Sequence, residues 1–548
     1  MMAVAYRVVP NCYRDSVVLL DVSARLAALA GVWSATVTMA TPANVAAATD
    51  LGIAGPVLAQ PNDVLIVVGA EADVATGALD QAVSWLVAPA PSAASSGAGA
   101  SPVRTLREAA ARGAGVALIS VPGAFAAAEA RKALDVGMHV MIFSDNVPVA
   151  QERALKDHAG RLGLLVMGPD CGTAVLDGIP LGFANALRRG PVGLVGASGS
   201  GLQEVSTGLH RLGGGVSQLI GTGGRDLSEA VGGLATMAAL ELLATDPRTE
   251  IIVVVSKPAP AAIARRVVEL AVGSGKPVVA ALLGTDPAVL AGCGALIAQD
   301  LDQAARLTAQ LSGIGLIALD GPGATGPFGV TGPFSGGGFR PGWLRGLFSG
   351  GTLGYEAQLV LGAQGVVVAS NAAAPGQRRL ADLDLDGGRW LGHVVLDLGA
   401  DEFTHGRPHP MIDPRGRDAL LADCLAEDGV GVVLFDVVLG YGAAADPVGG
   451  VVELLGGAAS RAGSTGFPAP GNPGGPRLSA HVCGTDEDPQ RRRLVVDALR
   501  GVGVLVAHSN AQAARWAAQC LDPTSQGLVD LNPTGPNRTS RGSVEVTG

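Results

Sequence analysis

A strand-turn-helix cassette occurs twice in this chain, and no other feature constrains the fold as strongly. The first copy is Gly193-Leu-Val-Gly-Ala-Ser-Gly-Ser-Gly-Leu-Gln-Glu204; the second is Gly346-Leu-Phe-Ser-Gly-Gly-Thr-Leu-Gly-Tyr-Glu356. In each, a short apolar strand enters a Gly/Ser/Thr turn where a helix should begin. In each, a glutamate lies six residues after the turn opens, Ser198 to Glu204 and Gly350 to Glu356. A helix that opens on small residues presents free backbone N–H groups and the positive end of its dipole, which suits phosphate or carboxylate. Two such ends imply a site built between two related domains, with Ser198, Gly199, Ser200 and Gly201 facing Gly350, Gly351 and Thr352 across a small anion. The alternative is a pair of ordinary tight strand-helix turns.

The 548 residues exceed what one core organises, so about three to five domains are expected. Apolar residues make up 48%, charged residues 16% and aromatics 3%. That balance suits a packed α/β protein, whose buried parallel strands read as continuous apolar runs. The formal charge is −10 with Lys and Arg scattered, which argues against a nucleic-acid surface. The six cysteines (Cys12, Cys171, Cys293, Cys424, Cys483, Cys520) show no metal spacing, and none is expected to hold a metal. Widely spaced cysteines fit a reducing compartment. No signal-peptide pattern and no apolar run near the ~18 residues of a membrane span are present. The expectation is a cytoplasmic protein without a membrane association.

Residues 1–87 read as a small α/β domain, with a helix near 16–26 and strands at 35–39 and 64–68, and 88–103 as a flexible linker. Residues 104–189 alternate strand and helix as a Rossmann-like unit. Residues 190–312 and 343–521 form two further α/β units, one per cassette, joined by a Gly/Pro connector at 313–342. A second Gly/Pro loop lies near 456–476, and 522–548 reads as a disordered tail.

Several residues stand out on chemistry alone. Arg225, in Gly223-Gly-Arg-Asp226, is an anion clamp, or the loop is merely capped by Asp226. Arg407-Pro-His-Pro-Met-Ile-Asp413 is a proline-stiffened loop carrying three polar groups. It is either an interdomain salt-bridge loop or a functional one. Functionally, His409 is the acid/base candidate, because an unperturbed imidazole titrates near neutrality, and Asp413 is placed to orient it. Asp397, Asp401 and Asp436 either cap helices or bind a divalent cation. Cys171 reads as a buried small residue.

The stretch from about 116 to 312 resembles the α subunit of succinyl-CoA synthetase, through Ser120-Val-Pro-Gly, Ser144-Asp-Asn-Val-Pro148, Met167-Gly-Pro-Asp-Cys-Gly172 and Gly221-Thr-Gly-Gly. Residues 343–521 resemble that enzyme's second ligase domain. The whole chain is more similar to the FdrA family, described as acyl-CoA-synthetase-like. The markers are Phe143-Ser-Asp-Asn-Val, Gly224-Arg-Asp-Leu-Ser, Gly406-Arg-Pro-His-Pro-Met-Ile-Asp-Pro414 and Cys483-Gly-Thr-Asp-Glu-Asp-Pro-Gln490. The resemblance implies a Rossmann-like, CoA-binding-type domain followed by two flavodoxin-like ligase domains. It also implies that Glu204 and Glu356 match glutamates that hold a phosphohistidine. Asn146, Asp170 and Asp413, inside these motifs, are the expected substrate contacts.

One departure matters. Where the ligases carry their phosphorylated histidine, this chain reads Leu283-Gly-Thr-Asp-Pro-Ala-Val-Leu-Ala-Gly-Cys-Gly, and no histidine occurs between His210 and His393. The Gly-rich turn that holds CoA is also missing near the N-terminus, and no ATP-grasp domain is evident. FdrA-type proteins are implicated, with two partner proteins, in oxamate carbamoyl transfer, in which oxalurate and phosphate give oxamate and carbamoyl phosphate. Phosphorolysis needs no phosphohistidine. It needs an aligned phosphate, oxyanion donors and a proton for the leaving nitrogen. The expectation is therefore a carbamoyltransferase subunit of ureido-acid catabolism, with phosphate or carbamoyl phosphate as ligand and one or two partner subunits. His409, Arg407, Glu204 and Glu356 are its catalytic candidates. The alternatives are an acyl-CoA synthetase that needs a separate nucleotide-binding partner, and a non-catalytic scaffold.

Overall fold

The computed structural model describes residues 2–87 (except 13, 15, 28, 51–52 and 54–55), 103–314, 342–404 (except 383–384 and 387–388), 408–461 and 475–521. The expected linker at 88–103, the connector at 313–342 and the tail at 522–548 fall largely or wholly outside these residues, as do His405 and Arg407.

The N-terminal unit is an antiparallel three-stranded sheet. Its central strand, Val64–Glu71, pairs with Met2–Val9 on one side and Val32–Met39 on the other. That strand is buried along nearly all its length, as its unbroken apolar run requires. Helix Pro42–Asp50 opens on proline, whose missing N–H costs nothing at a first helical position.

Residues 103–167 form a parallel three-stranded sheet, Val116–Ile119, His139–Ile142 and Val166–Met167, with helices Gly123–Asp135 and Val149–Leu162 as crossovers. The next two strands, Thr173–Leu176 and Ile179–Gly182, do not extend it. They form a hairpin on the Asp177-Gly178 turn, where both residues have positive φ (51° and 76°), the backbone such a turn demands. Leu219 and Ile220 then pair antiparallel with Val175 and Ala174, so the hairpin becomes the edge of the following sheet. The sequence pattern did not reveal this, because a two-residue turn breaks the βαβ rhythm without moving the chain far.

Each cassette begins its own doubly wound sheet. In the first, the five parallel strands lie in the spatial order Val216–Gly221, Arg189–Gly196, Ile251–Ser256, Val278–Leu282, Leu296–Ile297. The second sheet has Val394–Asp397, Trp343–Phe348, Val430–Val438, Arg477–Cys483 and Leu505–Ala507 in the matching positions, with two short strands added outside Val394–Asp397. Both follow the flavodoxin-like order, which places ligands beyond the carboxyl ends of the strands. The chain is thus a mixed α/β protein with several parallel sheets, as the sequence implied. Helix Gly449–Arg461 extends into the stretch expected to be a Gly/Pro loop from 456. Isolated glycines cost a helix only about 1 kcal/mol each.

The two sheets are joined by a shared layer of helices: Gly199–Arg211 and Leu301–Leu311 from the first, Gly351–Ala363 and Asn510–Gln519 from the second. One apolar core runs through both modules, holding Leu202, Val205 and Leu209 together with Leu353, Ala357, Ala513 and Ala517. Residues Ser200–His210 are all buried, so the first cassette's helix has no solvent face. No helix of the described residues is long and apolar enough to cross a membrane.

Candidate functional site

The two cassette turns meet. Ser198 Oγ and Thr352 Oγ1 are 2.7 Å apart in the interior, and Ser200 Oγ accepts the Thr352 N–H at 3.3 Å. Ser198 also caps its own helix, accepting the Gly201 N–H at 3.1 Å. Residues 198–201 and 350–352 therefore form one structural unit, with the amino ends of two helices in contact.

The two ends differ in one respect. The N–H groups of Ser349 and Gly350 both donate to Asp436, at 2.6 and 2.7 Å. Asp436 lies on strand Val430–Val438, beside the cassette strand in the same sheet. Its carboxylate occupies the position that an anion would take at the second helix end. Burial pushes the Asp436 carboxyl up to about 6, against the two N–H donors and Arg417. Asp397 stands close behind Gly351 and is likewise raised by burial. The second turn thus arrives with its own carboxylates, whereas among the described residues the first turn meets the hydroxyls of Thr173 and Thr352, and Gly199 is partly exposed. Asp436→Asn puts an amide N–H against one of the two backbone donors. It is expected to lower stability by about 1–3 kcal/mol, measured as a shifted denaturation midpoint.

The cassette glutamates are interdomain clasps. Glu204 of the first module accepts from His481 Nε2 at 2.7 Å and lies 3.5 Å from the Asn510 N–H, which opens the last helix of the second module. Glu356 of the second module accepts the Leu301 N–H at 2.7 Å, which opens the last helix of the first module, and an Asn510 Nδ2–H at 2.7 Å. Each glutamate thus reaches the helix end of the opposite domain, a near-twofold exchange. Their ionisation differs. Burial resists a charge on Glu204, but His481 first, and then Arg211, offset it and hold the carboxyl at about 2. Burial and then Asp300 push Glu356 up to about 8. Both glutamates are buried and their oxygens are taken up by these interdomain bonds, so they serve the junction and not a ligand.

His409 differs from expectation. Burial pushes its imidazole down to about 4, so at neutral pH it is uncharged and is not the near-neutral titrating group that its residue type suggested. Its Nδ1 accepts the Met411 N–H at 3.2 Å, and its ring packs on Phe183, the residue just after the 173–182 hairpin. Asp413 does not orient it. That carboxylate is held by Arg415, whose Nε lies 2.9 Å away. Arg407 lies outside the described residues.

Asn146, Asp170 and Arg225 do come together. Asp170 N–H donates to Ser144 O, and Arg225 donates to Val147 O at 2.8 Å. Asn146 and Asp170 both have φ of 54°, a left-handed backbone that non-glycine residues seldom adopt. Burial of its carboxyl, followed by Asp145 and Asp401, pushes Asp170 up to about 6, although the residue as a whole reaches solvent. Arg225 also lies 3.0 Å from the buried Glu152, which pairs with buried Lys156 at 2.7 Å. Asp226 accepts from Lys156 and from the Ala235 and Thr236 N–H groups, so it caps helix Leu234–Thr245. Cys171 is buried, and its thiol is pushed up to about 12 by burial. That suits a packed residue, not a nucleophile.

Two participants escaped sequence reasoning, His481 and Lys257, while Asp436, read as a helix cap or cation ligand, accepts the N–H groups that open the second turn. Each is a lone polar residue in or just after an apolar strand. Asp436 and His481 are cross-strand neighbours in register, a relation visible only once the sheet order is known. The motif Cys483–Gln490 proves to be packing chemistry: Asp488 accepts from Asn185 Nδ2 at 2.9 Å and from the Ala186 N–H at 2.7 Å, tying the second module to the first.

Comparison with known proteins gives three family matches: an AllF heavy metal-associated domain over residues 2–102, a CoA binding domain over 188–282 and a CoA-ligase over 347–520. The coenzyme A match falls on the first doubly wound sheet, not on the parallel unit before it. The chain is 29% identical to the succinate–CoA ligase (ADP-forming) α subunit of Aquifex aeolicus over 26% of its length and 48% of that protein's. A structure of ATP citrate lyase from Methanothrix soehngenii in complex with citrate and coenzyme A covers 38% of this chain and 40% of its own, at 18% identity and a TM-score of 0.31. Over 95% of its length the chain is 39% identical to the uncharacterized protein YahF of Escherichia coli (strain K12), of which the match spans 99%. The chain therefore belongs to the same family as YahF and is an FdrA-like protein built on a succinyl-CoA-synthetase-like scaffold.

Proposed function

We propose that this chain is a subunit of a carbamoyl-transferring enzyme of ureido-acid catabolism, converting oxalurate and phosphate to oxamate and carbamoyl phosphate. The observation that carries the proposal is the junction of the two turns, where the Ser198 and Thr352 hydroxyls sit beside the partly exposed Gly199. The hydroxyls and the first helix end supply donors for phosphate, with the dipole favouring its charge. A phosphate oxygen attacks the ureido carbonyl carbon, the bond to the oxamate nitrogen breaks, and that nitrogen takes the proton released by phosphate. Asp397, half-buried beside Gly351 and raised by burial, is suited to pass that proton. His409 contributes as a neutral donor or through packing, because burial keeps it uncharged. The FdrA resemblance and the AllF match at the N-terminus support the ureido assignment. The resemblance also implies one or two partner subunits.

Isothermal titration with phosphate and carbamoyl phosphate tests the proposal. Both should bind the wild type. Thr352→Val, which removes one donor at constant shape, should weaken both about 5- to 15-fold. Silence from both ligands in the wild type would end this reading. The CoA-ligase and CoA binding matches favour a second one, an acid-thiol ligase working with a separate nucleotide-binding protein. Under that reading coenzyme A binds, and an acid-labile phosphate appears on the chain after incubation with ATP and the partner.

A further inference from the structure

Beside the turn junction lies a set of polar groups that the reading above does not use. Lys257 follows strand Ile251–Ser256 directly, at its carboxyl end, where ligands gather in this fold. Its ammonium has no ion pair among the described residues and stands 5.8 Å from the centre of the Tyr355 ring, within cation-π reach. Tyr355 lies one turn along the second cassette helix from Thr352 and is 6% exposed, yet its hydroxyl has no hydrogen-bond partner among the described residues. That hydroxyl ends against the loop after strand Val278–Leu282. A Cβ placed on Gly284 would lie 3.0 Å from it. The next residue, Thr285, also has a buried hydroxyl without a partner. Buried hydroxyls are nearly always satisfied, so two orphaned hydroxyls at one loop, one of them on the ring that the Lys257 ammonium faces, are donors for a ligand to satisfy.

We propose that Lys257, Tyr355 and Thr285 form a carboxylate-binding subsite that orients a ureido acid against the turn junction; this rests on the carbamoyl-transfer reading. An ammonium with two hydroxyl donors is the complement of a carboxylate, and a charge-assisted bond is stronger there than a neutral one. The other end of a ureido acid carries N–H donors. Asp397 and Asp170 are the matching acceptors, and both lie close enough to Lys257 for its charge to draw their carboxyls down against burial. The subsite therefore reads polarity: carboxylate toward Lys257, ureido end toward the aspartates.

The test compares two probes of nearly the same shape, oxamate, which carries the carboxylate, and oxamide, which is neutral, by titration calorimetry on the full chain. The wild type should bind oxamate about 10- to 100-fold more tightly than oxamide. Lys257→Met should abolish that preference. Tyr355→Phe should weaken oxamate about fivefold with no loss of thermal stability, because the hydroxyl it removes has no partner to lose. If the wild type does not distinguish the probes, or fails to bind oxamate, or if both variants keep the preference, the subsite is overturned. If phosphate is silent while oxamate binding depends on Lys257, the subsite stands and the phosphorolysis reading falls.

Discussion

Glu204→Ala is expected to lower the stability of the folded chain by about 2–4 kcal/mol, because burial lowers the His481 imidazole and keeps it a neutral donor, and the change leaves that N–H and the Asn510 N–H without their acceptor. The side chain is 2% exposed and takes His481 Nε2–H at 2.7 Å from the opposite module. Alanine would leave the fully buried imidazole with one ring nitrogen unpartnered and the other 3.4 Å from the Ala507 carbonyl. It would also remove the acceptor near the Asn510 N–H. Glu204→Gln keeps the shape and one acceptor oxygen, so it should cost less, about 1–3 kcal/mol. The double variant Glu204→Ala with His481→Ala should cost less than the sum of the two single changes, because each single change already breaks the same contact. Urea denaturation followed by fluorescence measures the four variants (both Glu204 changes, His481→Ala and the double) against the wild type. If Glu204→Ala lies within about 0.5 kcal/mol of wild type, the ordinary range of a neutral surface change, the clasp has no energetic weight.

This prediction also marks what was legible in the sequence. The duplicated cassette foretold that the two turns would face each other, because repeated strand-turn-helix units at homologous positions of two doubly wound sheets present the same helix end. The glutamate spacing was equally visible. Its meaning was not. Six residues into a helix, a carboxylate has turned away from the N-terminal end and toward whatever packs against the helix flank, and only the paired modules show that this is the other domain's last helix. Asp436 was visible as a capping or cation-binding candidate, but the turn it serves was not, for a related reason. Within Val433-Leu-Phe-Asp-Val it reads as an interruption of a buried strand, and its use, accepting two N–H groups of the neighbouring turn, depends on strand order. His409 was singled out by residue type and a stiff loop. Its packing on Phe183, across an interface that no local pattern encodes, is part of what removes it from neutral-pH titration.

The two clasps should also separate under changing pH. Glu356 is buried like Glu204 but has Asp300 beside it where Glu204 has His481, so its carboxyl is raised from the ordinary 4.5 to about 8. Between those values the folded chain holds a proton that the unfolded chain has released. Stability from this group is complete below 4.5 and is lost as pH rises through 8. Groups of the opposite sign act elsewhere: Glu204 and Asp302, both near 2, lose their contribution only in acid, and the buried His409 favours the fold as pH rises from about 4 toward 6.5. The difference between wild type and Glu356→Gln isolates the one carboxyl, because glutamine cannot titrate. That difference should shift against the wild type by about 3 kcal/mol between pH 5.5 and 8.5, with about 1 kcal/mol of it between pH 7 and 8.5. Parallel stability curves for the two proteins over this range would show that Glu356 is already ionised at neutral pH. Asp300 would then have to be neutralised by Arg515, whose guanidinium lies 2.5 Å from it. If the slopes diverge as expected, the domain junction carries a proton at physiological pH, and raising the pH loosens the contact between the modules from the Glu356 side while the Glu204 side stays closed.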